Sequence, residues 1–555
     1  MKWVGAFVDW VVVPALIIWF AVEPNWPHGF VDYLEAGQYL GPINGIFHGG
    51  IPYRDSYTLF GPFFLYLPAC VMLLCGKTLA VLRTYFHVAA ILNVLIAYGV
   101  GCLLCRRRFF RWFIPFVVLL EAYHPFWSTR WGGLRTGCEL LLLGCLTRYV
   151  QTGSTRALVT AGLVTAFGLL YSTDVGIVNL IVTGALVAWM ILGQSPLARE
   201  RLRDFRWFGV GLALMLFPWG VYVAMHGAFW PYLVTAFWIM PIGHGTVWRR
   251  GASLVVRGPQ GPGVLPFLAS ELFKLYVPLL LCGLFFGLIV VERLKRQRTK
   301  DATIVWCFTV CGMLLYVMAF RAIDSAQFQM ALPPLIIMGG WALEQAAAYV
   351  AGWVLSSRHG PARRTPLTLV ISGVFLLVVA MYVVGSEKRY FRSLSGWVWY
   401  QQHKAALTPF YLGPIWVAQA DWQPLRCTRG GGIRVPAFQA QELDGVTQFL
   451  QEHTAPEEAI VTFPEHGIFN FLADRPGISR FDIAGFAITT PAWRQEFLAA
   501  LETHPPRFAI VGKRLSSMAQ FLGKKTEVLP EAAAYLTAHY HVIKSFATVD
   551  IMERF

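Results

Sequence analysis

The stretch "HGGIPYRDSYTLFGPFFLYLPACVMLLCG" (residues 48–76) begins as a polar, glycine-rich loop and ends as an apolar run almost long enough to cross a bilayer. Whether residues 60–76 cross decides the face on which every later residue lies. The run has 17 residues and contains Pro62 and Pro68, at the short end of the roughly 17–25 residues that a spanning helix needs. A helix lying along or dipping into one leaflet tolerates these prolines if protein satisfies its backbone.

The surrounding chain sets the class. Of 555 residues, 56% are hydrophobic and only 14% charged, with 41 Phe, 21 Trp and 21 Tyr. That is more apolar surface than a soluble core requires, and it reads as a polytopic membrane protein. Residues 4–22 are apolar enough for a secretory signal, but interior Asp9 and Pro14 and the lack of a small-x-small cleavage pattern before Glu23 favour a retained first helix. Nine of the 10 cysteines sit in apolar segments and only Cys427 in a polar one, so no disulfide framework is expected.

Eleven apolar segments of sufficient length lie near 4–22, 84–105, 112–129, 136–150, 157–173, 175–193, 207–225, 272–291, 303–320, 329–350 and 367–384. The net charge of +15 is carried largely by short basic blocks between them: Arg106–Arg108 with Arg111; Arg148 and Arg156; Arg199–Arg206; Arg293–Lys300; and Arg358–Arg364. That placement records membrane orientation rather than nucleic-acid binding. With eleven crossings and the N-terminus inside, all five blocks are cytoplasmic; a twelfth crossing through 60–76 would export all five. The reading is therefore a polytopic all-α membrane domain over residues 1–384, with an exported loop at 23–83. An extracytoplasmic α/β domain over 385–555 follows.

Inside that last domain, "LDGVTQFLQEH" has helical spacing, "AIVTFPEH" and "RFAIVG" read as strands, and "GIFNFLADR" as a helix. "TTPAWRQEFLAALETH" carries a helix start, with Thr490 as N-cap and Pro491 at the first position. Glu465 and His466 are adjacent, and neighbours on a strand face opposite ways, which argues against a shared site. No dinucleotide fingerprint, P-loop, zinc motif or nucleophile elbow is present.

Carboxylates at the outer leaflet are costly unless solvated or paired, which makes them the informative residues. Asp32 can take a proton from an incoming hydroxyl as a general base; equally, it can cap a helix beginning at Tyr33. Glu35, three residues on, shares its face or lies in solvent. Asp55, after Tyr53 and Arg54, either holds its loop by an ion pair, contacts a sugar hydroxyl or helps bind a divalent cation. In "EAYHPFWSTRWGGLRTGCE" (121–139), Arg130 and Arg135 are candidates to clamp a phosphate, or they snorkel. Asp174 lines the same cavity or caps a helix. Arg321 is a second phosphate candidate, or it pairs with Asp324. Arginines for phosphate without paired acids suit displacement of a phosphate leaving group from a sugar better than hydrolysis.

The stretch "FVDYLEAGQYLGPINGIFHGGIPYRDSYTLFGP" (30–62) resembles the first exported loop of the bacterial GT-C superfamily of polyprenyl-phosphate-sugar-dependent glycosyltransferases, related to the aminoarabinose transferases and protein O-mannosyltransferases. The shared order is an acid near the end of the first helix, a G-x-P-Y-x-D element, and G-P opening an apolar run. The resemblance implies Asp32 as catalytic acid–base residue, with Gly50, Pro52, Tyr53 and Asp55 as the loop element. It also implies a GT-C-like fold and inverting transfer from a polyprenyl-phosphate sugar, in the inner membrane, to an envelope acceptor. Glu35, Tyr53, Asp55, Arg130, Arg135, Asp174 and Arg321 are the candidates for binding donor or acceptor. In some branches a second-loop acid holds a metal; here that turn offers arginines, with acid only at Glu139. A divalent metal is thus possible, with Asp55 and Glu139 as weak ligand candidates. The competing readings are a flippase for lipid-linked precursors and a non-catalytic assembly protein.

Overall fold

The computed structural model describes residues 2–22, 25–121, 133–192, 202–244, 271–294, 299–319, 331–355, 369–376, 407–409, 416–418 and 421–555. Helices occupy each of the ten expected segments up to residue 355. Five are long and apolar enough to cross a membrane: Trp3–Ala21, Leu79–Leu104, Thr173–Ile191, Leu202–Met225 and Lys300–Met318. This is the number among the described residues, against the eleven expected; most of 367–384 lies outside them. One of the others falls short for a physical reason. Arg135–Thr152 carries Arg135, Glu139, Arg148 and Gln151, yet it packs against the helices Leu79–Leu104, Thr155–Tyr171, Thr173–Ile191 and Lys300–Ala319, so protein rather than lipid satisfies most of its surface.

Two ends of the bundle can be told apart from side-chain contacts. At one, a π-helical turn at Val8–Val12 presents Asp9 to Arg108 Nε and Trp112 Nε1, each at 3.2 Å. There Glu344 accepts the Arg106 and Arg107 amides. Gln151 donates to Leu103 O and Lys300 to Gln151 O. The basic blocks around 106–111, 148–156 and 300 therefore gather with the N-terminal residues. The opposite end carries residues 26–60 and the C-terminal domain.

At that opposite end the Phe63–Cys75 helix has 13 residues, a length of about 20 Å against a hydrocarbon core of about 30 Å. One face, with Phe64, Leu65, Ala69 and Met72, is buried in a core shared with the C-terminal domain, while Leu73 and Leu74 are exposed. Gly76, at φ 115, ends it in a conformation open to glycine and turns the chain into Leu79–Leu104. After the Arg206–Met225 helix comes a short helix, Phe229–Val234, that continues as a π-helix through Thr235–His244.

The C-terminal domain is α/β. Its four-stranded sheet runs Val461–Phe463, Phe508–Gly512, Val549–Arg554, Tyr540–Ser545, with the first pair parallel and the other two antiparallel. Helices Ala437–His453, Ile468–Ala473 and Pro491–Thr503 stand where the sequence places them, and Thr490 caps the last by accepting from Trp493 N. All 10 cysteines are free.

The domain rests on the first loop. The Tyr33–Phe47 helix presents Gly37, Gly41 and Gly45 four residues apart, on one face. A Cβ at Gly41 would stand 2.4 Å from Asp482 Cβ, and one at Gly37 would stand 2.8 Å from Ile483 Cδ1. Their absence lets the domain approach the helix backbone.

Candidate functional site

Asp32, itself extended, directly precedes the Tyr33–Phe47 helix. Its Oδ1 accepts the Glu35 amide at 2.9 Å, so the capping role is realised. The helix N-terminus favours its anion. Glu35 is buried and turns along the helix to accept the Tyr39 hydroxyl at 3.4 Å. Tyr39 packs against Phe60, Phe64 and Phe86, and Phe60 stacks on Phe64 with centroids 4.2 Å apart.

The Arg135 guanidinium lies 6.0 Å from the Phe60 centroid and is paired with Asp174 at 2.5 Å. Asp174 also accepts the Ser172 hydroxyl and the Val175 amide. Glu35, Tyr39, Phe60, Arg135 and Asp174 thus form a continuous path from the Asp32 helix into the bundle. One turn deeper, Glu139 is fully buried, and neither of its oxygens has a hydrogen-bond partner among the described residues. Arg135 Nε is likewise without one.

Tyr53 and Asp55 shape the loop. Tyr53, at φ 71, is buried; its hydroxyl donates to Phe60 O at 2.6 Å and its ring meets Tyr232 edge-on. Asp55 accepts the Ile51 amide at 2.8 Å and pairs with Arg54 at 2.7 Å; that guanidinium holds its carboxyl below the usual range. Arg130 and Arg321 lie outside the described residues. Among the described residues no three His, Cys, Asp or Glu gather where they could hold a metal ion, and Asp55 and Glu139 belong to no such group.

The C-terminal domain brings in residues that sequence reasoning missed. Gln439 and Glu442 reach Val31 and Tyr33. Arg429 donates to Asn44 Oδ1 at 2.6 Å and pairs with Asp474, and Arg480 donates to Tyr53 O at 3.3 Å. None carries a local signal, since the first-loop partners Val31, Tyr33, Asn44 and Tyr53 lie several hundred residues upstream. Glu465 and His466 stand just past the strand, which ends at Phe463. Both are buried, and they go to different partners. Glu465 accepts the Ser517 and Met518 amides, and burial raises its carboxyl, with the Asp32 charge adding to the effect. The His466 ring lies 5.5 Å from the Tyr33 ring, and burial pushes it down to about 4.

The chain is similar in fold to ArnT. The apo structure of ArnT from Cupriavidus metallidurans superposes with a TM-score of 0.52 at 14% identity, covering 99% of this chain and 97% of that one. The same protein bound to undecaprenyl phosphate gives 0.51 at 14% identity, covering 99% and 98%. No protein-family model and no curated protein matches the chain. The likeness in fold runs over nearly the whole of both chains.

Proposed function

We propose that the chain transfers a sugar from a polyprenyl-phosphate donor to a hydroxyl of an envelope glycan, lipid or protein, at the outer face of the cytoplasmic membrane and with inversion. The observation that carries this reading is the position of Asp32: a carboxylate at a helix N-terminus, at the seam of first loop and C-terminal domain, on the helix whose buried contacts lead through Tyr39 and Phe60 to Arg135. A fold like that of ArnT, which binds undecaprenyl phosphate, supports the donor class. The basic blocks at the N-terminal end support a cytoplasmic assignment for that end, which exports the loop and the C-terminal domain.

In the step, Asp32 takes the proton of the acceptor hydroxyl as its oxygen forms a bond to the anomeric carbon. The bond from that carbon to the phosphate oxygen breaks, and its electron pair leaves on the phosphate. Such a leaving group needs charge stabilisation more than a proton. Arg135 supplies it from within the path, through the Nε left over from its pair with Asp174; Arg130 and Arg321 are the further candidates.

The test is a transfer assay on full-length protein in lipid nanodiscs with a panel of sugars linked to undecaprenyl phosphate. Asp32→Asn is expected to lower turnover by about 10²–10⁴-fold and to keep donor binding. Near-normal turnover would remove Asp32 as the base. Lipid movement without sugar transfer would point to a flippase, and neither activity to an assembly protein.

A further inference from the structure

The Ala437–His453 helix of the C-terminal domain directs two side chains, three residues apart and so on one face, at the residues flanking Asp32. Gln439 is 1% exposed and forms a complete amide pair with Val31. The Val31 N–H donates to Gln439 Oε1 at 2.9 Å, and Gln439 Nε2 donates to Val31 O at 2.7 Å. Glu442, also 1% exposed, accepts the Tyr33 hydroxyl at 2.6 Å. Its carboxylate is held in turn by the amide and hydroxyl of Thr548.

Val31, just before the helix and outside any helix or strand, is buried. Such a residue must find partners for both its backbone groups, and here one side chain from 408 positions away supplies both. The bond between Gly29 N and Arg434 O, at 2.9 Å, and that between Arg434 N and His28 Nδ1, at 3.0 Å, extend the same contact upstream. Asp32 lies between two residues fixed by the C-terminal domain.

We propose that Gln439 is a positioning residue for Asp32: by pairing both backbone groups of Val31 it fixes the direction in which the Asp32 carboxylate meets the acceptor hydroxyl. Glu442 completes the grip through Tyr33. The inference rests on the reading of Asp32 as base, and it makes the C-terminal domain part of the reacting centre rather than an appended platform.

The experiment uses full-length protein in nanodiscs with whichever undecaprenyl-phosphate sugar the wild type turns over. Gln439→Ala is expected to lower kcat by about 100-fold, as a small misplacement of a reacting group does, with KM for the donor unchanged and the acid limb of the kcat–pH profile displaced. Gln439→Glu, which keeps the acceptor for Val31 N–H and loses the donor, is expected to fall between. Amide exchange at Val31 speeds up in both. Arg494→Ala, which breaks an ion pair with Glu531 inside the C-terminal domain, keeps wild-type kcat. A Gln439→Ala protein with wild-type kcat and pH profile would overturn the proposal, as would an equal loss in Arg494→Ala. An active Asp32→Asn would instead remove the base assignment. If the wild type turns over no donor, the transfer reading falls, and unchanged Val31 exchange in Gln439→Ala removes the grip as well.

Discussion

At the scale of single residues, Asp482 shows how the domain contact responds to pH. It is partly buried between Gly41 of the Tyr33–Phe47 helix and Gly467 and Gly477 of its own domain, and burial pushes its carboxyl up to about 7. Since the folded value lies above the unfolded one, its contribution to stability is complete below about pH 4 and is lost as pH rises towards 7. Asp482→Asn, neutral at every pH, is therefore expected to be more stable than wild type at pH 8, on the order of 1–3 kcal/mol after allowing for partial exposure. At pH 4 the two should match, and thermal melts at the two pH values check it. Breaking the Arg135–Asp174 pair acts differently. Arg135→Ala leaves a carboxylate deprived of its cation beside the buried Glu139, and a loss of about 3–5 kcal/mol is expected, read from the denaturation midpoint in detergent. The types of these residues are legible in the sequence. Their pairing is not, because Arg135 and Asp174 lie on different helices and Asp482 meets a helix that begins 449 positions earlier.

At the scale of elements, the glycine face of the Tyr33–Phe47 helix decides how closely the domain sits. Alanine is a better helix former than glycine by about 0.5–1 kcal/mol, so Gly41→Ala would stabilise an isolated helix. Here the added methyl meets Asp482 Cβ at 2.4 Å, and overpacking of this kind costs about 1–3 kcal/mol, which wins. Gly41→Ala is expected to loosen the domain, seen as faster proteolysis between the bundle and residue 437. Gly99→Ala, where the new methyl meets nothing within 4 Å, should be neutral or slightly stabilising. In the sequence, a short helix over residues 32–39 is followed by glycines and prolines from Gly41 to Pro52 that read as a shaped loop; the helix instead runs on to Phe47. Pro42 is accommodated inside the helix. The Tyr540–Ser545 and Val549–Arg554 hairpin was also missed: its first strand has one buried residue, Tyr540, followed by exposed ones, and so lacks the alternation that marks a half-buried strand.

At the scale of the whole molecule, the arrangement divides the chain into a basic end and an end shared by first loop and C-terminal domain. With Cys70 and Cys75, both exposed, replaced by serine, Lys77→Cys and Asp444→Cys are expected to react with an impermeant maleimide in intact cells. Arg107→Cys should react only after permeabilisation. Labelling of Lys77→Cys and Asp444→Cys from opposite sides would contradict the close packing of the Phe63–Cys75 helix with the domain. The membrane class, the positions of ten helices and the alternation of the C-terminal domain followed from the sequence alone, because apolar run length and periodicity are local properties of a chain. The candidate acid was equally visible, since a carboxylate in such surroundings is costly wherever it stands. Only the tertiary structure decided that Gln439 and Glu442 hold the residues around Asp32, that Arg135 answers Asp174, and that the short Phe63–Cys75 helix packs into a core shared with the domain. Those outcomes depend on which side chains of other elements complete the buried contacts, and no local pattern in the chain encodes a partner on another element.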